Sequence, residues 1–292
     1  MQFSSVSTLW TTDQWGYIRK NIGEWRGAFM QFSPEANPIT ETPSVLTLEE
    51  DSLDQHMTLT LTRTPEGTPP STVRRDLAYP GAAPYICFFP TGAFSQGATQ
   101  RRLWSSFGAE FSLLSENRRM RLVQLYNGTA SGDHTLDYVT LIPEYRSPEA
   151  TTPEAVTECL DVDNLLGTWK GEYLYLPATM DSSRVGDSCL QTEQLRDGSV
   201  LQTTVESWGQ QADKQRFVQI DRHRWQAVDQ SLQLWLLPGG VSCMVYPQLP
   251  RQQSARLEFC WHVSSHQRQR VVRDYDADGN WVGTSLIIET RE

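Results

Sequence analysis

Several absences narrow the field before any motif is read. No apolar run approaches the roughly 18–20 residues that a membrane-spanning helix needs, so no membrane span is expected. The opening Met1-Gln2-Phe3-Ser4-Ser5 carries neither a basic nor an apolar region, and no secretory signal is read there. The five cysteines, Cys87, Cys159, Cys189, Cys243 and Cys260, are odd in number, widely spaced and free of any CxxC pattern. Reduced thiols in the cytoplasm are the expectation. His56, His134, His223, His262 and His266 do not take zinc-site spacing, so no metal is expected. GxSxG, HExxH, a Walker loop and a GxGxxG followed by an acidic residue are all missing, and no catalytic residue is assigned. Positive charge is in deficit, 25 Lys and Arg against 35 Asp and Glu, giving a net charge of −10. That balance argues against nucleic acid as a partner.

What is present is a repeat. Asn21-Ile22-Gly23-Glu24-Trp25-Arg26-Gly27-Ala28-Phe29 returns half a chain later as Leu165-Leu166-Gly167-Thr168-Trp169-Lys170-Gly171-Glu172-Tyr173. The ends of the halves match as well. Arg121 to Tyr126 aligns with Arg270 to Tyr275, and Tyr138 to Glu144 with Gly283 to Glu289. A repeat of this length signals two related domains, each large enough to bury its own core without disulfides. The expected domains are 1–146 and 160–292, joined by a proline-bearing, acidic linker over 147–159.

Within each half the strand period dominates. Met57 to Thr62 alternates apolar residue with threonine, and Leu257, Phe259, Trp261 and Val263 share one face of another strand. Turn signals recur between such runs, and no segment sustains a long helical period. A short helical turn is expected before the first repeat, capped by Thr12 or Asp13, with Trp15 and Ile18 on one face. Many short strands with tight turns favour closed antiparallel barrels, which remove exposed edges. The expected fold is all-β: two tandem antiparallel barrels from an internal duplication.

Gly-x-Trp after a short helical turn resembles the lipocalin, or calycin, signature. In that superfamily the tryptophan closes the barrel floor, and a basic residue of a late strand lies over the indole. The resemblance places Gly23, Trp25, Gly167 and Trp169 in that motif. It offers Arg119 or Arg121, and Arg268, Arg270 or Arg273, as the covering residues. With Leu237 to Ser242, Trp261 and Arg268 to Asp276, the whole chain resembles a two-domain lipocalin-like family of unknown function from cyanobacteria and plastids. More distantly it is similar to the S- and T-type bilin lyases, although Gly27 to Phe32 lacks the basic, histidine-bearing stretch those enzymes have after the tryptophan.

Weaker patterns take plainer readings. Asp274-x-Asp276-x-Asp278-Gly279 fits the first half of a calcium loop, but Ser285 stands where a bidentate Glu belongs, so a hairpin turn is expected. Cys87 and Cys260 fall in strand-like runs and read as buried small hydrophobes. With the apolar face of its strand taken as inward, His262 is expected outward. Tyr173, Trp208, Trp235 and Trp261, with His223 and Arg273, are the candidate ligand-binding residues, the aromatics being either cavity walls or packed core. The resulting expectation is a non-catalytic carrier of a hydrophobic small molecule, a tetrapyrrole, isoprenoid or lipid, with no particular cofactor identified. The alternatives are a bilin lyase or its accessory, and an assembly factor with filled barrels and a protein partner.

Overall fold

A computed structural model describes residues 13–51, 56–79, 85–147, 157–206 and 212–292. Trp208 and most of the expected linker lie outside these residues. Among the described residues no helix is long and apolar enough to cross a membrane.

The chain begins with a six-residue helix, α1 (Gln14–Arg19), capped by Asp13, whose carboxylate accepts from Gly16 N. Trp15 and Ile18 are its buried pair. Nine strands follow: β1 (Gly23–Phe32), β2 (Pro38–Glu50), β3 (His56–Arg63), β4 (Ser71–Ala78), β5 (Ile86–Phe88), β6 (Phe94–Gly97), β7 (Phe107–Ser115), β8 (Arg118–Gly128) and β9 (His134–Arg146). They form one curled antiparallel sheet in the order β4-β3-β2-β1-β9-β8-β7-β6-β5. A second short helix, α2 (Val162–Leu165), leads into the other half. Its strands are β10 (Gly167–Pro177), β11 (Arg184–Gln194), β12 (Val200–Glu206), β13 (Asp213–Gln219), β14 (Arg224–Ala227), β15 (Gln233–Leu237), β16 (Val241–Val245), β17 (Gln248–Leu249), β18 (Ala255–His262), β19 (Gln267–Tyr275) and β20 (Trp281–Arg291). All but β17 close into a ten-stranded barrel. The fold is therefore two tandem antiparallel barrels, the first curled and the second closed.

The difference between the halves has a local cause. In the second, β14 bridges β13 and β15. The connection between β4 and β5, residues 79–85, is about half as long as the one that carries β14, residues 220–232. No pairing joins β4 to β5 among the described residues.

Both glycines of the repeated motif have steric reasons. Gly23 and Gly167 take φ of +123° and +104°, a region that L side chains avoid. At Gly27 and Gly171 an added Cβ would sit 2.0 Å from Pro143 O and 1.8 Å from Ile288 O. The first strand of each half can approach its last strand only because no side chain stands between them.

The halves pack back to back, each presenting one outer sheet face to the other. Phe107 and Phe111 meet Tyr275 and Phe259, with ring centroids 4.9 and 6.3 Å apart. The polar contacts are reciprocal, as in a two-fold dimer interface. Tyr275 Oη donates to Ala98 O, and Tyr246 N donates to Tyr126 Oη. Trp281 N donates to Thr99 O, and Leu136 N to Pro247 O. β17 adds itself to β9 across the seam.

This packing reverses one expectation. Strand register puts Leu257, Phe259, Trp261 and Val271 on the outer face of the second barrel, buried against the first half, and turns His262 inward. Alternation marks a buried face, but here the outside of the barrel is the buried, apolar one. Cys87, Cys243 and Cys260 are buried, and all five cysteines are free.

Candidate ligand cavity and its ion-pair floor

Each motif tryptophan lies against the short helix that precedes its strand. Trp25 Nε1 donates to Asn21 O and Trp169 Nε1 to Leu165 O, each reaching back four residues to the helical turn before its strand. Arg119 lies 4.3 Å from the Trp25 ring centroid and Arg268 lies 4.3 Å from that of Trp169. Arg146 and Arg291 approach the same two rings from the last strand, at 4.5 and 5.6 Å. Each such contact contributes roughly 0.5–2 kcal/mol.

Beneath each indole lies the same buried network. Glu144 binds Arg119 at 2.6 Å and Arg121 at 2.8 Å, and Arg121 also binds Glu110 at 2.7 Å. Glu289 binds Arg268 at 2.7 Å and Arg270 at 3.0 Å, and Arg270 reaches Glu258 at 3.3 Å. Burial by itself raises the Glu144 carboxyl, but Arg119 and Arg121 outweigh it and hold the group down at about 2. Glu289 is lowered by the same balance, burial against Arg270 and Arg268. His262 stands edge-on to Trp169 at 5.1 Å. Burial, then the nearby Arg268, pushes its imidazole down to about 3, so it is neutral at pH 7. Burial likewise lifts the Cys260 thiol to about 12 and raises those of Cys87 and Cys243. Such thiols are protonated and inert at neutral pH.

Above this floor the second barrel is hollow. A cavity of about 590 Å³ is lined by Leu190, Gln202, Thr204, Asp213, Gln215, Met244, Glu258, Arg270 and Asp274, among others. Its volume suits a small organic ligand. Its chemistry differs from the apolar one expected, because amides, carboxylates and guanidinium groups share the wall with apolar side chains. The first half has a shallower counterpart of about 510 Å³ over Gln96, Gly108, Glu110, Val123 and Leu125.

Tyr173, Trp235, Trp261, His223 and Arg273 are not among the residues that line this space. Trp235 and Trp261 face outward and are buried, Trp235 Nε1 donating to Gln233 Oε1 and Trp261 lying beneath Arg118. Arg273 also faces outward. It stacks on Trp281 at 3.9 Å and donates to Gly97 O and Ala98 O of the first half. Tyr173 packs with Val272 and Ile287, against Gly186 of the neighbouring strand. His223 sits in the turn before β14, its backbone N donating to Asp221. Trp208 lies outside the described residues. The Asp274–Asp278 ladder is a turn in which Asp276 accepts from Asn280 N, and no metal-ligand cluster occurs among the described residues.

The glutamates of the floor were the residues that sequence reasoning passed over. Their signal was present: Glu144 and Glu289 stand at matched positions near the ends of the two aligned terminal strands. A charge repeated inside a buried strand needs a buried partner.

Residues 11–149 match the family described as domain of unknown function DUF3598, N-terminal. Residues 156–292 match the family described as biogenesis factor required for ATP synthase 1, C-terminal domain. A crystal structure of a DUF3598 protein of unknown function from Nostoc punctiforme is 31% identical, with a TM-score of 0.84, covering 96% of this chain and 99% of that one. This chain belongs to the DUF3598 family. The S-type phycobiliprotein lyase CPES from Guillardia theta aligns at 12% identity and a TM-score of 0.37, over 46% of this chain and 93% of its own. No curated protein matches the chain. The family relative shares both halves, so the tandem arrangement extends over the full length of that relative.

Proposed function

We propose that this chain is a non-catalytic, protein-binding biogenesis factor that acts on ATP synthase. The observation that carries the reading is the match of residues 156–292, the whole closed barrel, to the C-terminal domain of a biogenesis factor required for ATP synthase. The geometry supports it in two ways. The buried ionisable groups of both floors are engaged with one another, which gives a stiff scaffold. The open side of the first half leaves β4 exposed along almost its whole length, with Val73 and Tyr79 exposed on or beside it. Exposed apolar groups of this kind mark protein-contact surfaces.

The test is affinity purification of the tagged chain from its own host, together with the ATP synthase content of a strain lacking it. Enrichment of ATP synthase subunits and a fall in assembled enzyme, with subunit transcripts unchanged, are expected. Unaltered assembly and no enrichment would discard the reading.

The 590 Å³ cavity favours a second reading, a carrier whose ligand has polar groups to meet Glu258, Arg270 and Gln215. Solvent extraction of the purified protein, with absorption and mass spectra, tests it. A stoichiometric small molecule supports a carrier, and a colourless, ligand-free protein that ignores added bilin, haem and carotenoid removes it. Bilin transfer to an acceptor cysteine above the uncatalysed rate would instead favour the lyase alternative.

A further inference from the structure

Where the halves meet, away from both barrel interiors, a pocket of about 420 Å³ is lined by Arg101, Arg102, His134, Arg251, Asp278 and Gly279, among others. The first half contributes two of its arginines and the histidine, and the second half contributes the third arginine. We propose that this seam pocket binds a phosphate-bearing anion. The inference stands independently of the reading above.

Arg101 carries the argument. Its side chain is 9% exposed, and its guanidinium donates only to the carbonyls of Pro250 and Gln253. Its Nε is buried with no partner, and no carboxylate lies within ion-pair distance among the described residues. The floor arginines differ, since Arg119, Arg121, Arg268 and Arg270 each hold a glutamate. Arg273, also without a carboxylate, satisfies its guanidinium with Tyr275, Ser95, two carbonyls and the Trp281 ring. A buried guanidinium with neither a carboxylate in ion-pair contact nor full hydrogen bonding is costly, and an anion in the pocket supplies both.

His134 is the second buried group at the site. It is 1% exposed and lies against the backbone of Ser105 and Arg102. Burial, and then Arg101, lower its pKa, so it stands beside Arg101 as a neutral imidazole. Arg102 and Arg251 are exposed at the rim, Arg102 donating to Gln100 and Arg251 resting its aliphatic stem near Gly132. Gly132 and Gly279 both take positive φ, and a Cβ on either would press into Arg251 or Arg101. Three guanidinium groups and one carboxylate, Asp278, line the pocket, with Asp133 and Asp276 just outside its wall, on a chain of net charge −10. Arginine forks match phosphate oxygens two at a time. The volume exceeds the needs of one bare oxyanion and falls in the range of small-molecule sites, which points to a phosphorylated small molecule.

The experiment uses the full chain in a chloride buffer of constant ionic strength. Inorganic phosphate, ribose 5-phosphate and adenosine diphosphate are each titrated by calorimetry and by thermal unfolding. Saturable binding with a rise in melting temperature is expected. The R102A/R251A double variant, whose changes are at exposed positions, keeps its melting temperature in chloride and binds about tenfold to a hundredfold more weakly. Tighter binding of an organic phosphate identifies that source, and equal binding identifies the free oxyanion. Either outcome upholds the site. No saturable binding of any of the three up to about 10 mM, or undiminished binding by R102A/R251A, overturns it.

Discussion

Glu289→Gln should be among the most damaging isosteric changes in this molecule. Glu289 is fully buried and, among the described residues, is the only carboxylate bound to Arg268, at 2.7 Å, while it also holds Arg270 at 3.0 Å. A glutamine fills the same space but leaves two buried guanidinium groups facing Glu258 alone, which reaches only Arg270, at 3.3 Å. Removing one partner of a buried ion pair costs about 3–5 kcal/mol, a large share of a typical domain stability of about 5–15 kcal/mol. Glu258→Gln is the internal control. Glu258 is partly open to the cavity, and its loss leaves Arg270 on Glu289, so about 1 kcal/mol is expected. Urea unfolding at pH 7, followed by tryptophan fluorescence and far-ultraviolet dichroism, measures both. The reasoning fails if E289Q lies within about 1 kcal/mol of wild type, or if E258Q matches it. Glu144→Gln in the first half should behave like E289Q, because its network repeats the same contacts. Its pH dependence has a definite sign. The Glu144 carboxyl is depressed from 4.5 to about 2, so its contribution is complete above the unfolded value. That contribution, on the order of 3 kcal/mol, is lost as pH falls from 4.5 towards 2. The gap between wild type and E144Q should close over that interval.

Three further outcomes follow from the same geometry. His262, depressed from 6.5 to about 3, stays neutral in the folded state while the unfolded chain takes up a proton. Stability should therefore fall as pH drops below 6.5, by about 3 kcal/mol at pH 4 from this group, with His134 adding in the same direction; H262Q should flatten the thermal-melting profile between pH 6.5 and 4. Gly171→Ala places a Cβ 1.8 Å from Ile288 O and should destabilise by about 3 kcal/mol or more; an unchanged urea midpoint would falsify the close-approach account of the motif. Trp261→Ala empties a site at the seam between the halves and should cost about 3–5 kcal/mol, measured as a lower midpoint in the same urea assay.

Much of the architecture was legible without coordinates. Two copies of Gly-x-Trp-x-Gly with matched terminal strands announce two barrels, because each residue of the motif has a local reason to be there. The first glycine supplies positive φ, the tryptophan caps the floor, and the second glycine lets the last strand approach. Arg119 and Arg268 proved to be the covering residues among the five offered, since strand parity turns Arg273 to the opposite face.

What alternation along a strand determines is that its two faces differ. Which of them looks inward depends on what covers the outside, and that is decided only when the halves meet. The outer face of β18 and β19 is buried by the other half, so Phe259 and Trp261 point away from the cavity while Glu258, Arg270 and His262 point into the barrel. The same dependence placed Trp235 and Trp261 in packed core and left the cavity to residues that no local pattern distinguishes. It also assembled the seam pocket from positions more than a hundred residues apart, Arg101 and Arg251, which nothing short of the tertiary structure brings together.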